Sequence, residues 1–314
     1  MLLFPAERLV LAIIAVLVCA DVALISLGNA AFDWGGYAPL VAIGTALIAI
    51  GSIYRKSGRS HPIGLAMIAA GLYILFTLAG SVLNYALLPV GELKLDEKLA
   101  RFDALIGYSW PDFVGFLAQY PTASLILKVI YISSLVQLMA VLILLGFGGR
   151  TQQLHEFLLV GIAGALLAIG FWSVAPTMGP SILYELPAET QARVGLVVTT
   201  EYGDKLKELA LYGPRVITPD ETLGLIAFPS FHTVMALMSI VYAWPLRGLR
   251  LLFLTVNTLM VPAILAHGGH HLVDLFAGVL VFCIALYVVR RSRSFWALDA
   301  ARRRSPAAAL RNNP

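Results

Sequence analysis

The sequence is poor in charged residues. Asp, Glu, Lys and Arg together make up 13% of its 314 residues, whereas hydrophobic residues make up 59%. Soluble globular domains contain about 25% charged residues, so the composition excludes that class and predicts an integral membrane protein. The pI of about 9.1 does not indicate a nucleic-acid partner, because most of the basic excess lies in short loops and in the C-terminal tail.

Cysteine is also scarce. The two cysteines, Cys19 and Cys283, lie far apart and inside apolar runs, which excludes a disulfide framework. The N-terminus lacks the small-residue cleavage site of a signal peptide, so the first apolar run is expected to be an uncleaved anchor.

Long apolar runs dominate the chain. A helix needs roughly 20 apolar residues to cross the hydrocarbon core of a bilayer. We count eight such runs, at 9–28, 37–54, 62–90, 121–147, 157–175, 228–246, 251–267 and 270–290. The sequence therefore predicts an all-α membrane protein with about eight transmembrane helices.

Lysine and arginine are unevenly distributed between the loops. With an even number of spans both termini share one side, and that side carries Arg8, the 55–59 loop, Arg150 and the arginines from Arg290 to Arg311. The opposite side is rich in carboxylates. The positive-inside rule then predicts cytoplasmic N- and C-termini, and we expect a multi-pass protein of a bacterial inner membrane.

The first polar motif is FPSFHT, residues 228–233, at the start of the sixth apolar run. Pro229 is expected at the first helical position, where a missing N–H costs nothing. The free amides that follow and the Ser230 hydroxyl suit a phosphate at a helix N-terminus, and His232 is placed to protonate a leaving oxygen. The alternatives are that Ser230 is only an N-cap and that His232 is a packed, hydrogen-bonded residue.

The second polar motif is HGGHHLVDLFAG, residues 267–278, at the start of the eighth run. His270 and Asp274 are four residues apart and are expected on one helical face. The aspartate can hold one imidazole nitrogen and leave the other free as a nucleophile or base. The predicted topology brings both motifs to the extracytoplasmic face. His267 and His271 are better explained by hydrogen bonds within the turn or by contact with headgroups.

The two motifs together resemble those of the type-2 phosphatidic acid phosphatase superfamily, serine–x–histidine and then histidine–x3–aspartate. The closer likeness is to the branch of the fungal inositol phosphorylceramide synthases, with motifs such as FPSLH and HH-x-x-x-D-x-x-x-G. ARFDALIGYSWP (100–111) and APTMGPS (175–181) also look like segments of that branch. The resemblance covers roughly residues 95–290.

This resemblance implies an organisation of the chain and roles for residues. It implies a six-helix phosphatase-like core (92–290). The sequence pattern, rather than the resemblance, adds N-terminal transmembrane helices (1–91), a partly helical extracytoplasmic cap loop within the core (176–227) and a basic cytoplasmic tail (291–314). His270 would be the nucleophile, Asp274 its orienting partner and His232 the general acid and then base. Ser230 would bind a phosphate oxygen.

The superfamily's basic phosphate clamp has no clear counterpart. The arginine expected six residues before His270 is replaced by Ile264, and the lysine–x6–arginine–proline motif is missing. The candidates for phosphate binding are Arg215 in the cap loop and Lys128 in the fourth run. For Lys128 the alternative is that it extends to the membrane interface.

The leading hypothesis is a lipid phosphotransferase that works through a phosphohistidine intermediate. The alternative enzyme is a lipid-phosphate or polyprenyl-phosphate phosphatase that uses water as acceptor. A transporter or a bis-histidine haem protein is the non-enzyme alternative, and a Soret band would identify the latter. The expected partners are the bilayer and a phospholipid, ceramide-like or polyprenyl phosphate substrate. No cofactor, metal, nucleic acid or obligate protein partner is expected.

Overall fold

A computed structural model describes residues 2–91 and 94–297. Its helices are α1 (Pro5–Leu27), α2 (Trp34–Lys56), α3 (His61–Ala86), α4 (Lys94–Leu105), α5 (Trp110–Leu117), α6 (Pro121–Ile132), α7 (Ser134–Phe147), α8 (Thr151–Val174), α9 (Ala188–Val194), α10 (Thr200–Tyr212), α11 (Phe231–Ala243), α12 (Arg250–His267), α13 (Leu272–Arg291) and α14 (Arg293–Trp296). The two-residue strands β1 (Ala31–Phe32) and β2 (Val216–Ile217) pair in parallel.

Six of the eight predicted apolar runs coincide with long helices of the bundle, and the fourth and sixth runs coincide with shorter ones. Six helices are long and apolar enough to cross a membrane, namely α1, α2, α3, α8, α12 and α13. The helices α7 and α11 are apolar but shorter, with 14 and 13 residues. The prediction of an all-α membrane fold is therefore confirmed.

The fourth predicted run, 121–147, is not one continuous helix. It divides into α6 and α7 at Ser133, whose hydroxyl donates to the carbonyl of Ile130 at 2.7 Å. Before it, α5 and α6 meet at a bend of 116°, and Pro121 begins α6, where proline is tolerated. The hydrophobic pattern indicated the apolar length of this segment but not its breaks.

Glycines allow α2 and α3 to pack closely. Gly44 on α2 faces Gly71 on α3, and Gly51 on α2 faces Gly64 on α3. The two glycines of each helix are seven residues apart, which is about two helical turns. A side-chain carbon added at Gly51 would lie only 2.9 Å from the carbonyl oxygen of Gly64. A side-chain carbon added at Gly64 would lie equally close to the carbonyl oxygen of Gly51. Small residues at such positions are typical of helix pairs in membranes, where packing rather than the hydrophobic effect drives association.

The short helix α11 lies at the centre of the bundle. It packs against α7, α8, α12 and α13, so its first residues are surrounded by protein. The outer surface of the bundle is apolar, with large exposed side chains such as Val16, Val129, Val136 and Phe276. A surface of this kind fits lipid rather than water.

Polar residues mark the two ends of the bundle. At the end where α1 and α8 begin, Glu7 forms a bidentate ion pair with Arg55 at 2.6 and 2.8 Å and also contacts His155 at 3.3 Å. Both polar motifs lie at the other end, where α3, α8 and α12 finish and α11 and α13 begin. The two motifs therefore share one end of the bundle, as their spacing predicted.

Short helices occur in the cap loop, which was expected to be partly helical, and in the stretch that precedes α6. The cap loop contains α9 and α10, and the stretch after residue 93 contains α4 and α5. Pairing of β1 with β2 joins the cap loop to the α1–α2 connection. Of the predicted basic tail, residues 298–314 lie outside the described part of the chain.

Candidate active site

The two polar motifs meet through their backbones. The amide of Ser230 donates to the carbonyl of Asp274 at 3.1 Å. Gly278 permits this approach, because a side-chain carbon there would lie 2.5 Å from the carbonyl oxygen of Ser230. The start of α11 is thereby fixed against the first turns of α13.

His270 and Asp274 form the predicted hydrogen bond. Nδ1 of His270 lies 3.1 Å from Oδ2 of Asp274, and both side chains are buried. The same carboxylate oxygen accepts the backbone amide of His271 at 2.9 Å. His270 itself lies just before α13 rather than in its first turn. In the neutral tautomer that donates from Nδ1 to the carboxylate, Nε2 of His270 carries the free lone pair.

His232 faces His270 from the first turn of α11. The two ring centroids are 6.0 Å apart and the rings are nearly perpendicular. On its other side His232 stacks on Tyr131 of α6, with the centroids 4.5 Å apart. One phosphoryl group can contact both histidines at this separation. The contribution of Tyr131 had no sequence signal, because it depends on how α6 packs against α12 and so brings Tyr131 beside His232.

The start of α11 differs from the prediction in one respect. Pro229 does not occupy the first helical position, because α11 begins at Phe231 and Ser230 is its N-cap. The Ser230 hydroxyl accepts the amide of Thr233 at 3.4 Å and is fully buried. The N-cap alternative thus describes its observed contact, while the hydroxyl hydrogen is still able to donate to an anion.

The two candidate cations occupy different surroundings. Lys128 is half-buried on α6, one turn before Tyr131, and its Nζ lies near Gly195, where an added side-chain carbon would be 3.7 Å away. No carboxylate among the described residues pairs with it. Arg215 is exposed beside β2, and its carbonyl accepts the amide of Ala31 at 2.9 Å. Its side chain contacts neither histidine motif within the described part of the chain.

Two aspartates of α4 belong to the site and were not predicted. Asp103 accepts the amides of Leu272 and Val273 at 2.9 and 3.1 Å and lies 3.3 Å from Nδ1 of His271. Asp96 contacts Nε2 of His271 at 3.8 Å. The expectation that His271 bonds within its own turn is therefore wrong, because its ring lies between two carboxylates. A signal existed in the sequence, since these aspartates are seven residues apart and share one face of an amphipathic helix.

The carboxylates of α4 hold a charge on His271. Burial alone would lower the pKa of His271, but Asp103 and Asp96, with Asp274 behind them, outweigh it and raise the pKa to about 9. Burial also raises the pKa of Asp96, which opposes an ion pair with that residue. Because Asp103 is nearer, we infer that the charged form of His271 pairs mainly with Asp103.

We expect this cluster to make stability depend on pH. Since the pKa of His271 is raised from 6.5 to about 9, its stabilising contribution is complete below the unfolded value and is lost as the pH rises through about 9. The unfolding of wild type and His271→Asn in detergent should differ by about 1.5–3 kcal/mol at low pH, and the difference should shrink in alkaline buffer. A difference that is independent of pH would contradict a charged His271.

The loop after α8 closes the site from another side. Asp96 also accepts the amides of Met178 and Gly179 at about 3 Å, and Thr177 accepts the amide of Phe228 at 2.8 Å. Gly179 has a φ of +86°, and a side-chain carbon there would collide with the carbonyl oxygen of Gly269. This loop can therefore approach the HGGHH turn only with glycine at 179.

Several buried polar atoms around the histidines have no hydrogen-bond partner among the described residues. They are the hydroxyls of Ser181 and Thr233, Nδ1 of His267, Nε2 of His271 and Oδ1 of Asp274. Buried polar groups normally have hydrogen-bond partners, and each exception requires an explanation. Their concentration at one end of the bundle is typical of a site that binds a polar ligand.

Comparison with known proteins identifies a family for this chain. The family model described as the PAP2 superfamily matches residues 97–288, well over half of the chain. No curated protein and no solved structure matches the chain. Members of the superfamily are typically phosphatases or phosphotransferases. The chain has the all-helical membrane fold of this superfamily, and the match supports a phosphoryl-transfer activity in general. It belongs to the PAP2 superfamily.

Proposed function

We propose that this protein transfers the phosphate group of a membrane lipid through a phosphohistidine intermediate on His270, without a metal. The observation that supports this best is the hydrogen bond of 3.1 Å between Nδ1 of His270 and Asp274, with the His232 ring 6.0 Å away. These three side chains supply a nucleophile, its orienting group and a general acid. His232 lies in the first turn of α11, Asp274 lies in the first turn of α13, and His270 lies in the turn just before α13.

The reaction begins with attack by Nε2 of His270 on phosphorus. The N–P bond forms while the bond between phosphorus and the leaving oxygen breaks, and His232 gives its proton to that oxygen. Asp274 stabilises the positive charge that develops on His270, as the buried carboxylate of a Ser-His-Asp triad does for its histidine. In the second half an acceptor hydroxyl gives its proton to His232 and attacks phosphorus, and the N–P bond breaks.

Phosphate binding is assigned to Lys128, Ser230 and Arg215. Lys128 has the best support, because it shares a helix face with Tyr131, which stacks on His232. Ser230 lies at the start of α11, where the helix dipole favours an anion. Arg215 would have to reach the site from the surface of the cap loop. Ile264, which stands where the superfamily has an arginine, is buried among apolar residues and carries no charge. The phosphate clamp is therefore assigned to these three residues.

The acceptor distinguishes the two enzyme versions. We favour an alcohol on a second lipid, as in the inositol phosphorylceramide synthase branch that the motifs resemble. The alternative is water, which would make the protein a lipid-phosphate or polyprenyl-phosphate phosphatase.

We also propose that the termini are cytoplasmic and that the site faces the extracytoplasmic side of a bacterial inner membrane. The distribution of arginine and lysine supports this orientation.

The test is an assay of the purified protein in liposomes with lipids labelled in the phosphate group. We expect label to move from a phospholipid to a ceramide-like acceptor, or to free phosphate from phosphatidate or polyprenyl phosphate, and we expect chelators to have no effect. An acid-labile phosphate on the protein should accumulate when the acceptor is left out.

The matched control for this assay is His61→Gln. His61 is an exposed histidine at the opposite end of the bundle, 3.1 Å from the hydroxyl of Thr151, and its replacement should leave the products unchanged. Absence of any phosphate transfer across the lipid panel, or loss of transfer on chelation, would refute the proposed reaction.

A further inference from the structure

A deep cavity lies beside His232 within the helix bundle. It has a volume of about 320 Å³ and is enclosed by α3, α7, α8, α11 and the 223–226 segment of the cap loop. The size falls in the range of small-molecule sites in proteins. Its walls are mainly apolar, and no acidic or basic side chain other than His232 lines it in the described part of the chain. A charged headgroup is therefore excluded as its main occupant.

The cavity begins at the candidate active site and extends along the bundle axis. His232 forms part of its wall at one end, and Met238 lines it further along α11. On α3 the lining residues extend from Asn84 back to Tyr73, which is about 16 Å at 1.5 Å per residue. A group attached to a phosphate at His232 can thus enter the cavity directly and run towards the middle of the membrane.

The wall formed by α3 has one polar side. Thr77, Ser81 and Asn84 lie on one face of this helix and line the cavity. Oδ1 of Asn84, at the end nearest the histidines, is buried without a partner among the described residues. This places a hydrogen-bonding group where the linkage between an apolar chain and a phosphate would lie.

We propose that this cavity binds the apolar chain of the lipid whose phosphate is attacked by His270. The proposal rests on the proposed function and specifies its substrate: a lipid phosphate with a long chain, whose linkage contacts Asn84. It also gives α3 a role in substrate binding. Because α3 precedes the family match at residues 97–288, part of the specificity of this chain would come from a helix outside the region that it shares with the superfamily.

Gly80 sets the width of the cavity. It is buried on α3, and a side-chain carbon added there would first meet Cδ1 of Ile169 on α8 at 3.9 Å, an ordinary contact distance. A leucine at this position therefore fits by occupying cavity space rather than by displacing a helix. The matched control is Gly170 on α8, which is exposed and has open space around it.

The experiment compares wild type, Gly80→Leu and Gly170→Leu on a palmitoyl-chain and a hexanoyl-chain lipid phosphate. Gly80→Leu should raise KM for the long chain by about tenfold or more, the effect of crowding a pocket by a methylene or two, and leave the short chain unchanged. Gly170→Leu should alter neither. An unchanged KM for the long chain, or an equal loss on both chains, would contradict the proposal.

Photo-crosslinking of wild type supplies a readout that needs no turnover. A palmitoyl lipid phosphate with a photoreactive group at the chain end should label peptides of α3 and α8, and excess unlabelled lipid phosphate should compete. Labelling without competition would mean that bulk bilayer lipid fills the cavity, which overturns the proposal. Competed labelling in a protein that transfers no phosphate would refute the proposed reaction and retain the chain site.

Discussion

Replacing His270 with alanine is expected to reduce phosphate transfer by about 10⁴-fold or more, because loss of a covalent nucleophile in other enzymes costs up to about 10⁶-fold. His270 is buried, and its Nδ1 donates to Asp274 at 3.1 Å, so no neighbouring group can replace its free nitrogen. The acid-labile phosphate on the protein should disappear together with turnover. The measurement is initial rate in liposomes, with intact-protein mass spectrometry for the intermediate.

Folding must be separated from chemistry in this experiment. Wild type, His270→Ala and the control His61→Gln should elute alike in detergent gel filtration, since neither replacement touches the ion pair of Glu7 and Arg55 or the glycine contacts of α2 and α3. A folded His270→Ala protein that retains more than a few per cent of wild-type activity would rule out His270 as the nucleophile.

Replacing His232 with alanine is expected to cost about 10²–10⁴-fold with a lipid substrate, the usual contribution of a general acid or base. Its ring lies opposite His270 and is held by stacking on Tyr131. The loss should be much smaller when the leaving group is p-nitrophenol, because an anion that is stable in water needs no proton as it departs. The measurement is the ratio of rates for the two leaving groups in wild type and variant.

This comparison distinguishes acid catalysis from a merely structural role for His232. Loss of packing beside Tyr131 would slow both substrates equally, since it acts on the position of His270 rather than on the leaving oxygen. Equal losses for the lipid and the activated ester would therefore contradict the assignment. A second check is the phosphohistidine, which His232→Ala should still form from the activated ester.

Much of the fold and the meeting of the two histidine motifs could be predicted from sequence because the signals are local. Apolar runs indicated the helices, and the parity of eight runs placed His232 and His270 at one end of the bundle, where the structure has them. The spacing of His270 and Asp274 indicated their contact, although it is made across the N-terminus of α13 rather than within it. The prediction that Pro229 is the first helical residue was wrong, because a proline near a helix start can also precede the N-cap.

The remainder depends on contacts between distant segments. The positions of Asp96 and Asp103 around His271 follow from how α4 docks, and hydrophobic periodicity identifies an amphipathic helix without saying what its polar face meets. The cavity beside His232 depends on the packing of α3 against α7 and α8. The break at Ser133 lies within an unbroken apolar run and has no signal of its own.

The position of α4 has a consequence for the biosynthesis of the protein. Asp103 binds amides 169 and 170 residues later in the chain, and His271 between Asp96 and Asp103 arrives with them. During translation α4 emerges long before α13, so Asp103 has these partners only once α13 has been inserted, whereas Asp96 can bind the amides of Met178 and Gly179 earlier. The candidate site is therefore assembled late in synthesis, and a protein truncated before residue 270 lacks the amides and the imidazole that Asp103 binds.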